Sequence, residues 1–346
     1  MADNELVRQL KIVGKSINIL SSLILTLIIV IFFIPFNGLQ NENNNITSVT
    51  TEPIKEIYNT ALLDNSKDNL NIKYGYELFQ NTPKYIGPKN GKATLVYAGN
   101  NLACTNCHLQ AGTKTYSGLL VGISKRFPQF RGRENKMGSL KERINGCMER
   151  SMNGKALPLN GNEMEAFISY LTWLSRLAPA DGKLKGVGYA AIKIPERAID
   201  LENGKQIFVS KCAVCHGENG KGIKLNNSFT YQYPPLWGDD SFNNGAGMTR
   251  VITAAKFIKS NMPLGATFKN PLLTDEESYD VAGYISQQKR PQKTNLESDF
   301  PDLRKKPVST PYPPYADDFS ILQHQKGPFQ AIINFYKKRY NIIKTK

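Results

Sequence analysis

A chain of 346 residues has room for two small domains with additional segments, and its 40% apolar content is that of a globular protein rather than a disordered or fibrous one. Lysine and arginine outnumber aspartate and glutamate by 44 to 29, and the net charge of +15 favours anionic partners: nucleic acid, lipid headgroups or small dianions. Cys104, Cys107, Cys147, Cys212 and Cys215 are the only cysteines, and the motifs that use four of them leave no pair for a structural disulfide.

Residues 1–15 contain Arg8, Lys11 and Lys15, and the stretch 16–36 that follows carries no charge. Its apolar run is about long enough to cross a bilayer, and the preceding cations hold the N-terminus in the cytoplasm. We therefore expect one transmembrane helix over 16–36, anchoring the chain to the inner membrane with everything beyond it in the periplasm. The competing expectation is a cleaved signal peptide and a soluble periplasmic protein, although no small-x-small cleavage site follows Ile34. Residues 37–65, rich in Asn, Thr and Glu, read as a tether that holds the remainder off the membrane.

Two copies of C-x-x-C-H then organise the chain: Cys104-Thr105-Asn106-Cys107-His108 and Cys212-Ala213-Val214-Cys215-His216. This spacing attaches a c-type haem, with two thiols adding to the vinyl groups and the adjacent histidine turning onto the iron. Two covalently bound haem c groups are the expected cofactors, with His108 and His216 as proximal ligands. Covalent haem also argues against nucleic acid as a partner.

The motifs belong to an internal repeat. A short amphipathic stretch precedes each, around Tyr74–Phe79 and Asn203–Phe208. A long loop-like stretch follows each, and then a helical pattern, Glu163–Ser175 in the first unit and Thr274–Gln287 in the second. Thr274 and Glu277 have the spacing of a capping box. First and last helices crossing through Gly and aromatic residues resemble the class I cytochrome c fold. The expected architecture is mainly α: two class I cytochrome c-like domains in tandem, 66–182 and 196–290, joined by a linker over 183–195 and preceded by the transmembrane helix. Residues 291–346 are Pro-rich and read as an arm packed over the second unit and ending in a short helix.

The sixth ligands carry the functional information. Only His108, His216 and His324 are present, so at most one iron can have two histidines, which excludes histidine-rich multihaem sites. For the second haem, Met262-Pro263 resembles the Met-Pro sequence that supplies a thioether ligand; Met248 is its rival. For the first haem no Met-Pro exists. Cys147 lies in the corresponding stretch, with Met148 and Met152 as the alternatives. A free thiol in an oxidising compartment is a liability unless it has a task. Lys125, Arg126, Arg131, Arg133, Lys136, Lys141, Arg143, Arg150 and Lys155 surround Cys147 in sequence and would favour its thiolate and a bound anion. His324 is expected to be structural, holding the arm.

Taken together, Cys104–His108, the Arg133 and Arg143 region, Asn145-Gly146-Cys147-Met148 with Arg150-Ser151-Met152-Asn153-Gly154, the second haem motif, and Gln323-His324 with Gly327-Pro328-Phe329 resemble the dihaem thiosulfate dehydrogenase/tetrathionate reductase family. The resemblance covers about residues 65–329. It implies a first haem with His108 and Cys147 as ligands and the site of catalysis, and a second with His216 and Met262 as relay to or from a periplasmic or membrane cytochrome. It also implies reversible coupling of two thiosulfates into tetrathionate, with Arg133, Arg143 and Ser151 lining the substrate pocket. Some members have Lys before the second-haem Met where this chain has Asn261, and many lack an anchor. The rival expectations are a membrane-tethered dihaem electron carrier without a substrate, and an enzyme acting on another sulfur oxyanion.

Overall fold

The computed structural model describes residues 15, 18, 20–22, 24–25, 57–226, 228 and 230–345. The chain divides into two units, Met1–Thr50 and Thr51–Lys346. In the first, the described residues are helical, with Leu20, Ile24 and Leu25 exposed. Most of the expected membrane helix over 16–36, and the tether as far as residue 56, lie outside the described residues. Among the described residues no helix is long and apolar enough to cross a membrane.

The second unit is mainly helical and holds two cores in chain order. In the first, α1 (Lys67–Gln80) crosses α4 (Asn162–Leu174), with α2 (Thr82–Ile86) and α3 (Leu140–Arg150) between them in sequence. The crossing depends on Gly75: a Cβ there would lie 2.0 Å from the Ala166 carbonyl oxygen, so no other residue allows the two backbones to approach so closely. Leu78, Met164 and Leu174 are fully buried beside it, each worth about 1.5–3 kcal/mol of apolar burial. The last residues of the expected tether pack here too. Tyr58 meets Trp173 edge-on at 5.5 Å, and Arg176 donates to the Ile57 carbonyl at 2.6 Å.

The second core repeats the device. Here α5 (Leu201–Ile207) crosses α8 (Asp275–Ser286), and a Cβ on Gly204 would lie 2.3 Å from the Asp280 carbonyl oxygen. Between them come α6 (Ala213–His216) and α7 (Val251–Asn261). The Thr274–Glu277 capping box forms in both directions, at 3.0 and 2.8 Å. The only strands among the described residues are two antiparallel hairpins, β1 (Gln129–Arg131) with β2 (Lys136–Gly138) and β3 (Ile223–Lys224) with β4 (Tyr231–Tyr233).

The stretches after the haem motifs, expected to be loop-like, each contain a helix. α3 begins at a capping box of Ser139 and Glu142 that satisfies its first backbone donors, and α7 buries Val251, Ile252, Ala255 and Ile258 against the second core.

Polar contacts join the cores. The Asp240 carboxylate accepts from the Asn101 backbone and side chain, next to the first haem motif, and Asn100 donates to the Ser151 and Ser241 carbonyls, both at 3.0 Å. The buried Asn261 side chain donates to the Tyr116 carbonyl across this interface. The arm ends in α9 (Ile321–Lys326) and α10 (Phe329–Tyr340), whose Phe329, Ile332 and Tyr336 are buried in the second core. It reaches the first core as well: Phe300 N–H donates to the Arg133 carbonyl at 2.8 Å. His324 is buried, with Nδ1 on the Val308 carbonyl at 2.7 Å, Nε2 on Asp317 at 2.9 Å and Tyr315 stacked on its ring, as its expected structural role requires.

Candidate active site

Both haem motifs present their histidines in the same way. His108 Nδ1 bonds the Gly118 carbonyl at 2.7 Å, and His216 Nδ1 bonds the Pro234 carbonyl at 2.7 Å, so each ring is held by its backbone-side nitrogen, and the His108 ring turns its other nitrogen to Cys147. Gly118 has φ +73°, and a Cβ there would lie 2.9 Å from His108 Nδ1, which is why the carbonyl can come so close. The attachment turn of the first motif is braced by Thr82, whose hydroxyl accepts from Cys104 N–H at 3.2 Å. These features fit a thioether-bound haem in each core: two half-buried thiols, an oriented imidazole and apolar surroundings.

Cys147 lies on α3 and faces His108. Arg143, one helical turn earlier, points Nη1 at Cys147 Sγ from 2.8 Å. Burial pushes the Cys147 thiol up, but Arg143, His108 and Arg131 outweigh it and bring it down to about 6, so the sulfur is a thiolate at neutral pH. Met148 and Met152 are buried in the first core. Met248 also packs on that core, with Tyr189 of the expected linker 4.0 Å from its sulfur, whereas Met262, at the end of α7, packs on the second. Tyr189 stands among Cys107, Arg143 and Cys147, so the expected linker contributes this side chain to the first site.

A cavity of about 600 Å³ opens beside Cys147, lined by Arg143, Gly146 and Ser151. Arg133 lines it as well, so the three residues expected around a substrate meet at one place. The cations grouped by sequence separate in space. Arg131, Arg133, Arg143 and Arg150 line the cavity. Lys125 and Arg126 are spent on the Ala178 and Leu119 carbonyls, Lys136 and Lys141 pair with Glu142 and Glu165, and Lys155 lies over the Tyr97 ring.

Sequence reasoning missed the other half of the wall. Arg250 from the start of α7, Phe300, Arg304 and Lys305 from the arm, and residues 342–345 complete it, which gives eight basic side chains against the single carboxylate of Glu134. Behind the wall, Asp299 accepts from Arg133, from Arg150 at 2.6 Å and from Tyr312 at 2.7 Å. Burial pushes its carboxyl up, but these partners outweigh it and hold it below the usual carboxylate range. Burial and the neighbouring Arg133 lower the Arg250 guanidinium to about 9. Charge runs visible in the sequence pointed to an anion site; the pairing of the arm with a hairpin more than 160 residues earlier gave no local signal.

Comparison with known proteins places these features. The cytochrome c domain described as SoxA/TsdA matches residues 96–179, and the cytochrome c family matches residues 201–289. The thiosulfate dehydrogenase of Stutzerimonas stutzeri (strain A1501) is 40% identical over 225 residues, 65% of this chain and 69% of that protein. That of Psychrobacter arcticus is 40% identical over 233 residues, 67% of each. The solved structure of a thiosulfate dehydrogenase (TsdBA) from Marichromatium purpuratum aligns with a TM-score of 0.62 and 33% identity over 68% of this chain, which spans about half of that longer one. Each haem motif falls within a matched cytochrome c domain, and the chain carries two covalently bound haem c groups. With two tandem cytochrome c domains and relatives of this identity and extent, the chain belongs to the thiosulfate dehydrogenase family.

Proposed function

We propose that the protein interconverts two thiosulfates and tetrathionate plus two electrons, with Cys147 as the reacting sulfur. The observation that carries this reading is the contact of Arg143 with the Cys147 sulfur, next to a cavity that Arg143 and Gly146 line, with eight basic side chains and one acidic. Cys104 and Cys107 hold the first haem and Cys212 and Cys215 the second; His108 with Cys147, and His216 with Met262, are the ligands. When bound, the haems supply the electron chemistry, taking up two electrons and exchanging them with a periplasmic or membrane cytochrome.

The chain's own residues do the rest. Joining two dianions opposes like charges, and cations in a partly desolvated pocket offset that by an energy of the order of several kcal/mol. Arg143 and Arg133 bind sulfonate oxygens, and Ser151, at the end of α3, donates a hydrogen bond to them. The Cys147 thiolate forms a bond to the outer sulfur of one thiosulfate with loss of two electrons, giving an S-thiosulfonate on the cysteine. A second thiosulfate attacks that outer sulfur, the bond to Cys147 breaks, and tetrathionate leaves with the thiolate restored. The reverse sequence reduces tetrathionate.

The domain bounds 66–182 and 196–290 belong to this reading, as does an inner-membrane anchor over residues 16–36 with the haem domains in the periplasm; removal of that segment as a signal would leave the same domains soluble. The mass of the mature protein and its partition between membrane and soluble fractions separate these forms. For the activity, turnover is measured with thiosulfate and an artificial acceptor, and with tetrathionate and a reduced donor, in the parent and in Cys147→Ala. Turnover by the parent alone is the expected result. Equal turnover by Cys147→Ala, or none by the parent, overturns the reading and leaves an electron carrier.

A further inference from the structure

Either direction of this reaction needs two anionic groups in the cavity at once: two thiosulfates, or the two sulfonate ends of tetrathionate. Arg143 serves the end at Cys147. Most other cations on the wall already have protein partners. Arg131 is paired with Glu134, Arg133 and Arg150 with Asp299, Lys305 with Asp302 and Asn135, and Lys344 donates to the Lys306 carbonyl at 2.8 Å. Arg250 differs. Half-buried on the wall, it shares a hydrogen bond with Tyr312 and feels the Asp299 charge, but it has no carboxylate within ion-pair distance among the described residues, and its guanidinium lies over Phe300 at 5.6 Å. The same ring carries the Arg133 guanidinium at 5.1 Å. Two like charges thus share one aromatic platform, and Tyr312 is a neighbour of both. A buried N–H of the adjacent Arg150, its Nε, has no hydrogen-bond partner. This local excess of positive charge and donors opposes folding unless an anion completes it.

We infer that Arg250, with Arg133 beside it over Phe300, forms a second sulfonate subsite that holds the outer end of tetrathionate or the second thiosulfate. The inference rests on the function proposed above and adds its second binding position. Arg250 lies in the second cytochrome c domain, so the substrate cavity of the first is completed by the second. A cavity of about 600 Å³ has room for both anionic groups, and the arginine pair is suited to the planar, multi-oxygen face of a sulfonate.

The test uses the full chain with both haems attached, as Arg250→Gln and Arg250→Lys. For Arg250→Gln the KM for tetrathionate rises at least tenfold, a loss of about 1.4 kcal/mol of binding, while kcat stays within about threefold. Arg250→Lys, which keeps the charge but not the fork, falls between. A second readout does not need turnover: tetrathionate raises the melting temperature of oxidised Cys147→Ala protein, and adding Arg250→Gln abolishes that rise. Without ligand, Arg250→Gln melts at or above the parent temperature, because a repelled charge has gone.

An unchanged tetrathionate KM in Arg250→Gln overturns the inference. So does a lower melting temperature without ligand, or failure to fold accompanied by normal KM in Arg250→Lys, since each assigns Arg250 to structure. If the parent has no turnover, the proposed reaction falls, yet the thermal shift still decides whether Arg250 holds the anion.

Discussion

Arg143 Nη1 lies 2.8 Å from Cys147 Sγ, one helical turn away on the same helix, and this contact sets the charge of the site. Burial alone would protonate the thiol; the guanidinium reverses that and brings its pKa to about 6.

The contact predicts a pH profile. Thiosulfate oxidation that depends on the Cys147 thiolate holds at neutral pH and falls as pH drops through about 6. In Arg143→Gln the thiol loses its nearest cation while His108 and Arg131 remain, so its pKa rises, the ionised fraction and the rate at pH 7 fall by roughly tenfold and the acid limb moves upward. Initial rates between pH 5 and 9 check this. An acid limb that stays in place would detach the activity from this thiolate.

The helix crossings predict where side chains cannot be added. Gly75→Ala places a carbon 2.0 Å from Ala166 O, and Gly204→Ala one 2.3 Å from Asp280 O, so the crossing helices must separate. Each change is expected to cost about 1–3 kcal/mol and to lower haem incorporation in its own domain only. Haem stain and absorbance of the purified variants check this, Gly247→Ala being the control because nothing lies within 4 Å of its added carbon and its backbone is not left-handed.

Asp280 predicts acid sensitivity in the second domain. Its fully buried carboxylate is pushed up by burial but held below its ordinary value by Arg197, the Asp200 N–H and Asn203. A carboxylate with a depressed folded pKa contributes stability that is present above the unfolded value of about 3.9 and is lost as pH falls through the folded value. Asp280→Asn is therefore expected to cost about 1.5–3 kcal/mol at pH 7 and progressively less below pH 4. Urea unfolding followed at pH 7 and pH 3.5 measures both.

Asp299 predicts a coupling between stability and anions. Asp299→Asn leaves Arg133 and Arg150 without their shared carboxylate, a loss of about 3–5 kcal/mol. The melting temperature falls, and millimolar tetrathionate recovers part of the loss by supplying the missing negative charge. Equal recovery in sodium chloride of the same ionic strength would reduce the effect to screening.

Legibility in the sequence followed the range of the interactions. The haem motifs, the glycines of the first helices and the Thr274–Glu277 box are local patterns whose physics is complete within a few residues, and the cores form around them. Arg143 and Ser151 came only through the family resemblance, although Arg143 sits one helical turn before Cys147 and Ser151 caps the same helix four residues after it. The helix itself was overlooked, although Ser139 and Glu142 have the spacing of a capping box, because Lys141, Glu142, Arg143 and Glu149 mask its apolar side. Five of the nine cations near Cys147 in sequence face elsewhere, since a residue's neighbours along the chain do not fix which way its side chain points. Arg250 and Phe300 reach the site only by tertiary contact, and no window of sequence contains the pairing of Asp299 with Arg133.

The segment 342–345 on the cavity wall has a consequence in time. It is synthesised roughly 200 residues after Cys147, about 10–40 s later at ordinary elongation rates. The first haem motif and the α1–α4 crossing are complete long before that segment exists. The Cys147 side of the cavity therefore exists in the growing chain before residues 342–345 are there to close it.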